Sequence, residues 1–202
     1  MILKLLFIIA IPFCIYAQNA DEVIKNLQDK FTKTQTLKAE FTQTIFSTQS
    51  NQSIKFEGEF YFKKENSFSI VLPNRNIISD GKSVWNFDKA SKKVIISPFE
   101  NGNTTFSLNE IIFSYPQKCD LLLLKSENNN YLIKGVPKDL DYSFKEAYLT
   151  ISKDYLLNAI EIIDFNNMKY TFQLFSVEIN QKIDDAKFQF NQSKEIEIID
   201  LR

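Results

Sequence analysis

The stretch Gly58–Asp88, GEFYFKKENSFSIVLPNRNIISDGKSVWNFD, decides the fold of this chain. With the four residues before it, it alternates in the period of a half-buried strand. Ile54, Phe56, Gly58, Phe60 and Phe62 fall on one side, and Lys55, Glu57, Glu59, Tyr61 and Lys63 on the other. Lys64 shares the parity of the phenylalanines, so the apolar face ends on a charge. Phe68 to Leu72 reads as a short strand closed by Pro73, carrying Phe68 and Ile70. Asn76 to Ser79 and Ser83 to Asp88 form a hairpin through Asp80-Gly81, a dipeptide suited to positive φ. That hairpin leads to Trp85 and Phe87, and with them the successive strands offer a wide apolar surface. A lysine at its rim can snorkel past the last ring to solvent, or it can bond to whatever covers the face. Parity leaves both open.

Working outward, ADEVIKNLQDKFTKT from Ala20 to about Thr34 spaces Val23, Ile24, Leu27 and Phe31 as one face of a helix. Asp21 and Glu22 stand in its first turn, where they complement the helix dipole. Leu37 to Thr48 alternates as a strand with Leu37, Ala39, Phe41 and Ile45 on one side. After a strand over Lys93 to Ser97, Ser107-Leu-Asn-Glu110 has capping-box spacing and opens a short helix with Leu108, Ile111 and Ile112. Strands follow at Cys119–Lys125, Tyr131–Val136, Ser143–Ser152, Tyr155–Asp164, Lys169–Asn180, Lys187–Phe190 and Ile196–Ile199. Spacings of about ten residues with polar turns describe an antiparallel meander that curls into a barrel or a strongly bent sheet. The class is mainly β with two short helices.

The first residues, MILKLLFIIAIPFCIYAQ, put one lysine before an apolar run and a small residue, Ala17, at its end. This is the pattern of a signal peptide over 1–17 with cleavage near Ala17, leaving 18–202 as a single exported domain. Cys14 follows Pro12 and Phe13, not the small residues that precede an acylated cysteine, so a soluble mature protein is expected.

Composition narrows the function. There are 24 basic and 25 acidic residues, which argues against a nucleic-acid surface. Histidine is absent, which removes histidine-based nucleophile pairs and histidine-bearing zinc sites. The four glycines are scattered, so there is no phosphate cradle. Cys119 in KCDLLLLK is the one cysteine beyond the signal segment and reads as a small buried hydrophobe. No cofactor or metal is expected. The nearest candidates for carboxylate catalysis, Asp80 with Asp88 and Asp139 with Asp141, are residues that turns and caps favour. With 19 phenylalanines, the concealed face is made of bulky rings that either fill a closed core or shift around an apolar guest. Composition alone favours the filled core, because most apolar strand faces are cores.

In order along the chain, the helix followed by LKAEFTQ (Leu37–Gln43), GEFYFKK (Gly58–Lys64), ISDGKSVWNFD (Ile78–Asp88), LLNAIEIIDFNNMKYTFQLF (Leu156–Phe175) and FQFN (Phe188–Asn191) resembles the LolA family. The resemblance implies an incomplete antiparallel β-barrel with a lid of short helices and an apolar cavity for lipoprotein acyl chains. It implies cargo received from an inner-membrane ABC transporter of the LolCDE type and delivered through the periplasm to an outer-membrane acceptor, LolB-like or other. The carrier is expected to be a monomer without catalytic activity. On this reading Phe41, Phe56, Phe60, Phe62, Phe68, Ile70, Trp85 and Phe87 line the cavity. Val23, Ile24, Leu27, Phe31, Leu108 and Ile111 belong to the lid. Lys64 stands where relatives carry an arginine that bonds lid carbonyls, making it the expected latch. Lysine keeps the charge without the planar fork. Asn191 to Lys194 replace a proline and glycine common at that place in the family, so the terminal loop departs from the pattern. The alternatives are a LolB-like acceptor acylated at Cys14, an envelope protein with a filled barrel, and a histidine-free envelope enzyme.

Overall fold

A computed structural model describes residues 19–99, 108–139 and 144–202. The expected signal segment with Cys14 and Ala17, the capping Ser107, and Asp141 lie outside these residues. Helix α1, Ala20–Lys33, is capped by Asn19, whose side chain accepts the Glu22 N–H at 2.8 Å. The strands are β1 (Thr36–Ser47), β2 (Gln52–Lys63), β3 (Ser67–Val71), β4 (Arg75–Asp80), β5 (Ser83–Asp88) and β6 (Lys93–Pro98). The second lid helix runs from residue 108 through a π-helical turn, Glu110–Ser114, into α2, Tyr115–Lys118. Then come β7 (Cys119–Glu127), β8 (Asn130–Pro137), β9 (Phe144–Ser152), β10 (Leu157–Asp164), β11 (Met168–Ile179) and β12 (Glu197–Asp200).

These form one sheet of 12 strands in the order β12-β6-β5-β4-β3-β2-β1-β11-β10-β9-β8-β7. It curves without closing, leaving β12 and β7 as its edges. Twist bends such a sheet, and bulges sharpen the bend. The register shifts between Lys38 and Glu40 against β11, between Leu157 and Ala159 and between Ile163 and Asp164 on β10, and between Leu123 and Lys125 on β7. Both helical segments lie in the concavity, where Val23, Leu27, Ile112, Ile133, Ile151 and Ile160 are almost wholly buried. Among the described residues no helix is long and apolar enough to cross a membrane.

The end of the chain departs from the expected meander in two ways. Lys187–Phe190 is not a strand: a 3-10 turn, Asp185–Phe188, replaces it, opened by Asp184, whose side chain accepts the Ala186 N–H at 3.0 Å. The segment 181–196 instead crosses the convex face, and β12 joins β6 in parallel. Lys63 pairs with Asp185 at 2.6 Å, and its hydrogen bond holds the Asp185 carboxyl below the usual range. Lys187 lies 4.5 Å above the Tyr61 ring, Phe190 packs 5.5 Å from Phe87, and Lys92 pairs with Glu195 at 2.6 Å. Tyr61, Ile78, Val94, Ile96 and Phe188 are buried here as a second apolar layer. Exposed ion pairs contribute little individually, so the buried rings carry this layer.

Gly58 permits the tight packing of β2. A Cβ there would stand 2.3 Å from the Val71 carbonyl oxygen and 3.0 Å from the ring of Phe41, its partner on β1. Gly58→Ala is therefore expected to destabilise the fold by about 1–3 kcal/mol, the usual cost of overpacking. A lower urea midpoint at unchanged m-value would show this; an unchanged midpoint would contradict the packing described.

Candidate functional site

The strand register sorts the expected cavity residues into two groups. Phe62 pairs with Leu37 and Phe68, and Phe60 with Ala39 and Ile70, so all four aromatic and isoleucine side chains face the concavity. Phe41 joins them through Gly58 on β2 and Leu174 on β11. Trp85 and Phe87 do not. Trp85 pairs with Ile78, Ile78 with Ser69 and Ser69 with Tyr61, while Phe87 connects through Asn76 and Val71 to Glu59. Paired residues share a face, so both rings stand on the convex side, where Phe87 packs against Phe190 of the C-terminal segment. Phe56 keeps the inward parity but is only half-buried, beside a surface depression at Pro73 and Asn74. Ile54, beyond it, is 58% exposed.

Lys64 is corrected more sharply. It has left the strand and lies exposed in the turn between β2 and β3. There its backbone N–H donates to the Gln35 carbonyl at 2.9 Å. Glu65 and Asn66 take φ of 70° and 61° to reverse the chain, which ends the pleat before parity can carry Lys64 inward. Among the described residues its side chain makes no hydrogen bond or ion pair, with the helical cover or otherwise.

Contacts between sheet and lid fall elsewhere. The Asn109 Nδ2 donates to Asn66 Oδ1 at 2.6 Å, and the Gln28 Nε2 of α1 donates to the Ile112 carbonyl at 2.9 Å. Phe31 of α1 packs 5.0 Å from Phe62 and 6.1 Å from Phe113, centroid to centroid. Val23, Ile24, Leu27, Phe31, Leu108 and Ile111 are all buried in the shared core.

Among the described residues three small gaps lie on the concave side, two of them reached by the helical cover. One gap of about 50 Å³ lies among Phe41, Gln43, Phe60, Ile70, Phe172 and Leu174. A second, about 20 Å³, lies between Leu27, Phe31, Leu37, Leu108 and Leu174. The third, also about 20 Å³, lies between Phe60, Phe62, Asn66, Phe68, Leu108 and Asn109. Phe60, Leu108 and Leu174 are the shared walls. Each gap could hold a few waters at most, since one water needs about 10–15 Å³. Phe172 and Leu174 were not singled out from sequence, although their alternation within Lys169–Asn180 carried the signal.

Charge is kept off this face. Lys134 and Glu146 pair on the convex side beside Tyr148, and the Lys134 hydrogen bond holds the Glu146 carboxyl below its ordinary range. Among the described residues no group of three or more histidine, cysteine or acidic side chains could hold a metal. Cys119 is buried, and desolvation raises its thiol above the ordinary value, away from thiolate reactivity. Asp80 and Asp88 serve turns: Asp80 Oδ1 accepts the N–H groups of Lys82 and Ser83, and Asp88 Oδ1 accepts from Ser91. Of the Asp80-Gly81 pair only Gly81 takes positive φ, at 87°.

Comparison with known proteins agrees with this architecture. The family model described as "Outer membrane lipoprotein carrier protein LolA" matches residues 32–191. An outer-membrane lipoprotein carrier protein of Photorhabdus laumondii is 25% identical over 183 residues, covering 88% of each chain. Its counterpart in Sodalis glossinidius is also 25% identical, covering 93% of this chain and 90% of its own. An uncharacterized conserved protein from Thermus thermophilus has the same fold, with a TM-score of 0.60 at 12% identity over 90% of this chain and 98% of that one. The family and the names of these relatives point to a carrier that catalyses no reaction. A family match over most of the chain, on a curved open sheet under short helices, makes this protein a member of the LolA family.

Proposed function

We propose that this protein is a periplasmic carrier that takes the acyl chains of lipoproteins into the space between sheet and lid and conveys them from the inner to the outer membrane. The observation that carries this reading is a set of three apolar gaps that share Phe60, Leu108 and Leu174 as walls. Two of these walls belong to the sheet and one to the lid. Withdrawing Leu108 joins the second and third gaps, and a turn of Phe60 or Leu174 joins the first to them.

A carrier of this kind must bind and release. Burial is worth about 0.8 kcal/mol per CH₂, so long acyl chains cannot cross an aqueous compartment bare. None of the three gaps among the described residues is large enough to receive one. Loading therefore displaces the two short helices, and the lost packing of α1 and Leu108 offsets part of what acyl burial supplies. That opposition keeps affinity below the full burial value and lets an acceptor withdraw the cargo. The donor on this reading is a LolCDE-type inner-membrane transporter, and the receiver is an outer-membrane acceptor, LolB-like or other.

Affinity capture of the mature protein from periplasm, followed by mass spectrometry, is expected to find acylated lipoproteins bound to it and an unmodified N-terminus near Gln18. No bound lipoprotein, together with no uptake of the apolar fluorophore N-phenyl-1-naphthylamine, would contradict the carrier reading; a lipid on Cys14 would favour an anchored acceptor. Truncation separates the two faces. Phe60→Ala should cost about 3–5 kcal/mol of stability and enlarge the concave space, with increased fluorophore binding in a fluorescence titration. Phe87→Ala, on the convex side, should leave that binding unchanged.

A further inference from the structure

We infer that Asn66 and Asn109 form the latch that holds the lid to the sheet, while Gln28 joins the two lid helices so that they move as one body. This rests on the carrier reading and adds the residues that govern opening. The amide of Asn109, the residue after the wall Leu108, meets the Asn66 side chain at 2.6 Å. Both asparagines line the third gap, so their bond spans the seam between the cover and the aromatic face of Phe62 and Phe68. Breaking it is a step in moving Leu108 away from the sheet.

Asn66 is well placed to serve as the fixed half. It holds φ of 61°, a conformation asparagine tolerates better than most residues. The adjoining turn is braced from behind, because Gly81 approaches so closely that a Cβ would stand 2.1 Å from the Glu65 carbonyl oxygen. The moving half is the helix from residue 108. In an α-helix the Ile112 carbonyl would accept the N–H of residue 116, but that residue is Pro116, which has none. Gln28 of α1 donates to this carbonyl instead, at 2.9 Å. A polar group that one lid helix does not satisfy in the α-helical way is satisfied by the other, which couples their displacement. The latch and the coupling bond are both neutral amide contacts, so opening should respond weakly to salt and to pH near neutrality.

Stopped-flow uptake of N-phenyl-1-naphthylamine by the mature protein tests this. Asn66→Ala and Asn109→Ala are each expected to load about two- to tenfold faster, the range set by loss of one hydrogen bond. The double variant should be no faster than either single one. Asn109→Asp removes the donor but can accept from the Asn66 Nδ2 once that amide turns over, and should return the rate towards the wild-type value. Lys64→Leu should leave it unchanged, as should raised salt. Circular dichroism confirms folding of each variant. Unchanged rates in the single variants, multiplied rates in the double, or acceleration by Lys64→Leu would overturn the latch while the carrier reading stands. Failure of the wild type to take up fluorophore or lipoprotein would overturn both.

Discussion

The structure depends on covering an aromatic concave face that its own sheet does not close. Twelve strands curve around Phe41, Phe60, Phe62 and Phe68, yet β12 and β7 never meet, so the sheet does not seal its interior by strand pairing. Two short helical segments do that instead, and their hold is mostly apolar contact with a few amide bonds. Short helices draw their stability from packing more than from propensity. On the proposed carrier reading, a cover built this way stays shut in water for want of a better apolar partner and gives way when one arrives.

The convex side is organised differently. The C-terminal segment lays Lys187 over Tyr61 and Phe190 against Phe87, with Phe188 buried between, and Asp200 and Arg202 finish it at the edge of β6. The Asp200 carboxyl is brought down to about 2 by hydrogen bonds from Arg202, and Arg202 also reaches the Ser83 hydroxyl at 3.1 Å. This layer backs the strands that bear Phe60 and Phe68 on the side opposite the helical cover. On the proposed reading, stability and exchange of cargo fall to opposite faces of the same strands.

Much of this was legible in the sequence. Alternation within a strand gave the parity of Phe41, Phe60 and Phe62, and helical spacing gave the buried face of α1. Parity does not say how one strand registers against the next. The turns at Leu72–Asn74 and Asp80–Lys82 set that register, and they send Trp85 and Phe87 to the convex side, where Phe190 packs against Phe87. Lys64 misled because a strand pattern was extended one residue into a turn whose positive φ values sit at Glu65 and Asn66. The contact between Asn66 and Asn109 had no local signal at all, since it joins residues 43 apart and depends on how the lid lands. Ordered resemblance along the chain supplied the fold; tertiary contact decided which side chains face the cargo space.

The most direct test follows amide hydrogen exchange of the mature protein before and after loading with a triacylated lipopeptide. The account predicts faster exchange in Ala20–Lys33 and in residues 108–118, slower exchange in β1, β2 and β11 around the cavity, and no change in Asp185–Phe188 on the convex side. Lipopeptide bound with the exchange of both helical segments unaltered, or with the protection confined to the convex face, would contradict a carrier whose interior is opened by its lid.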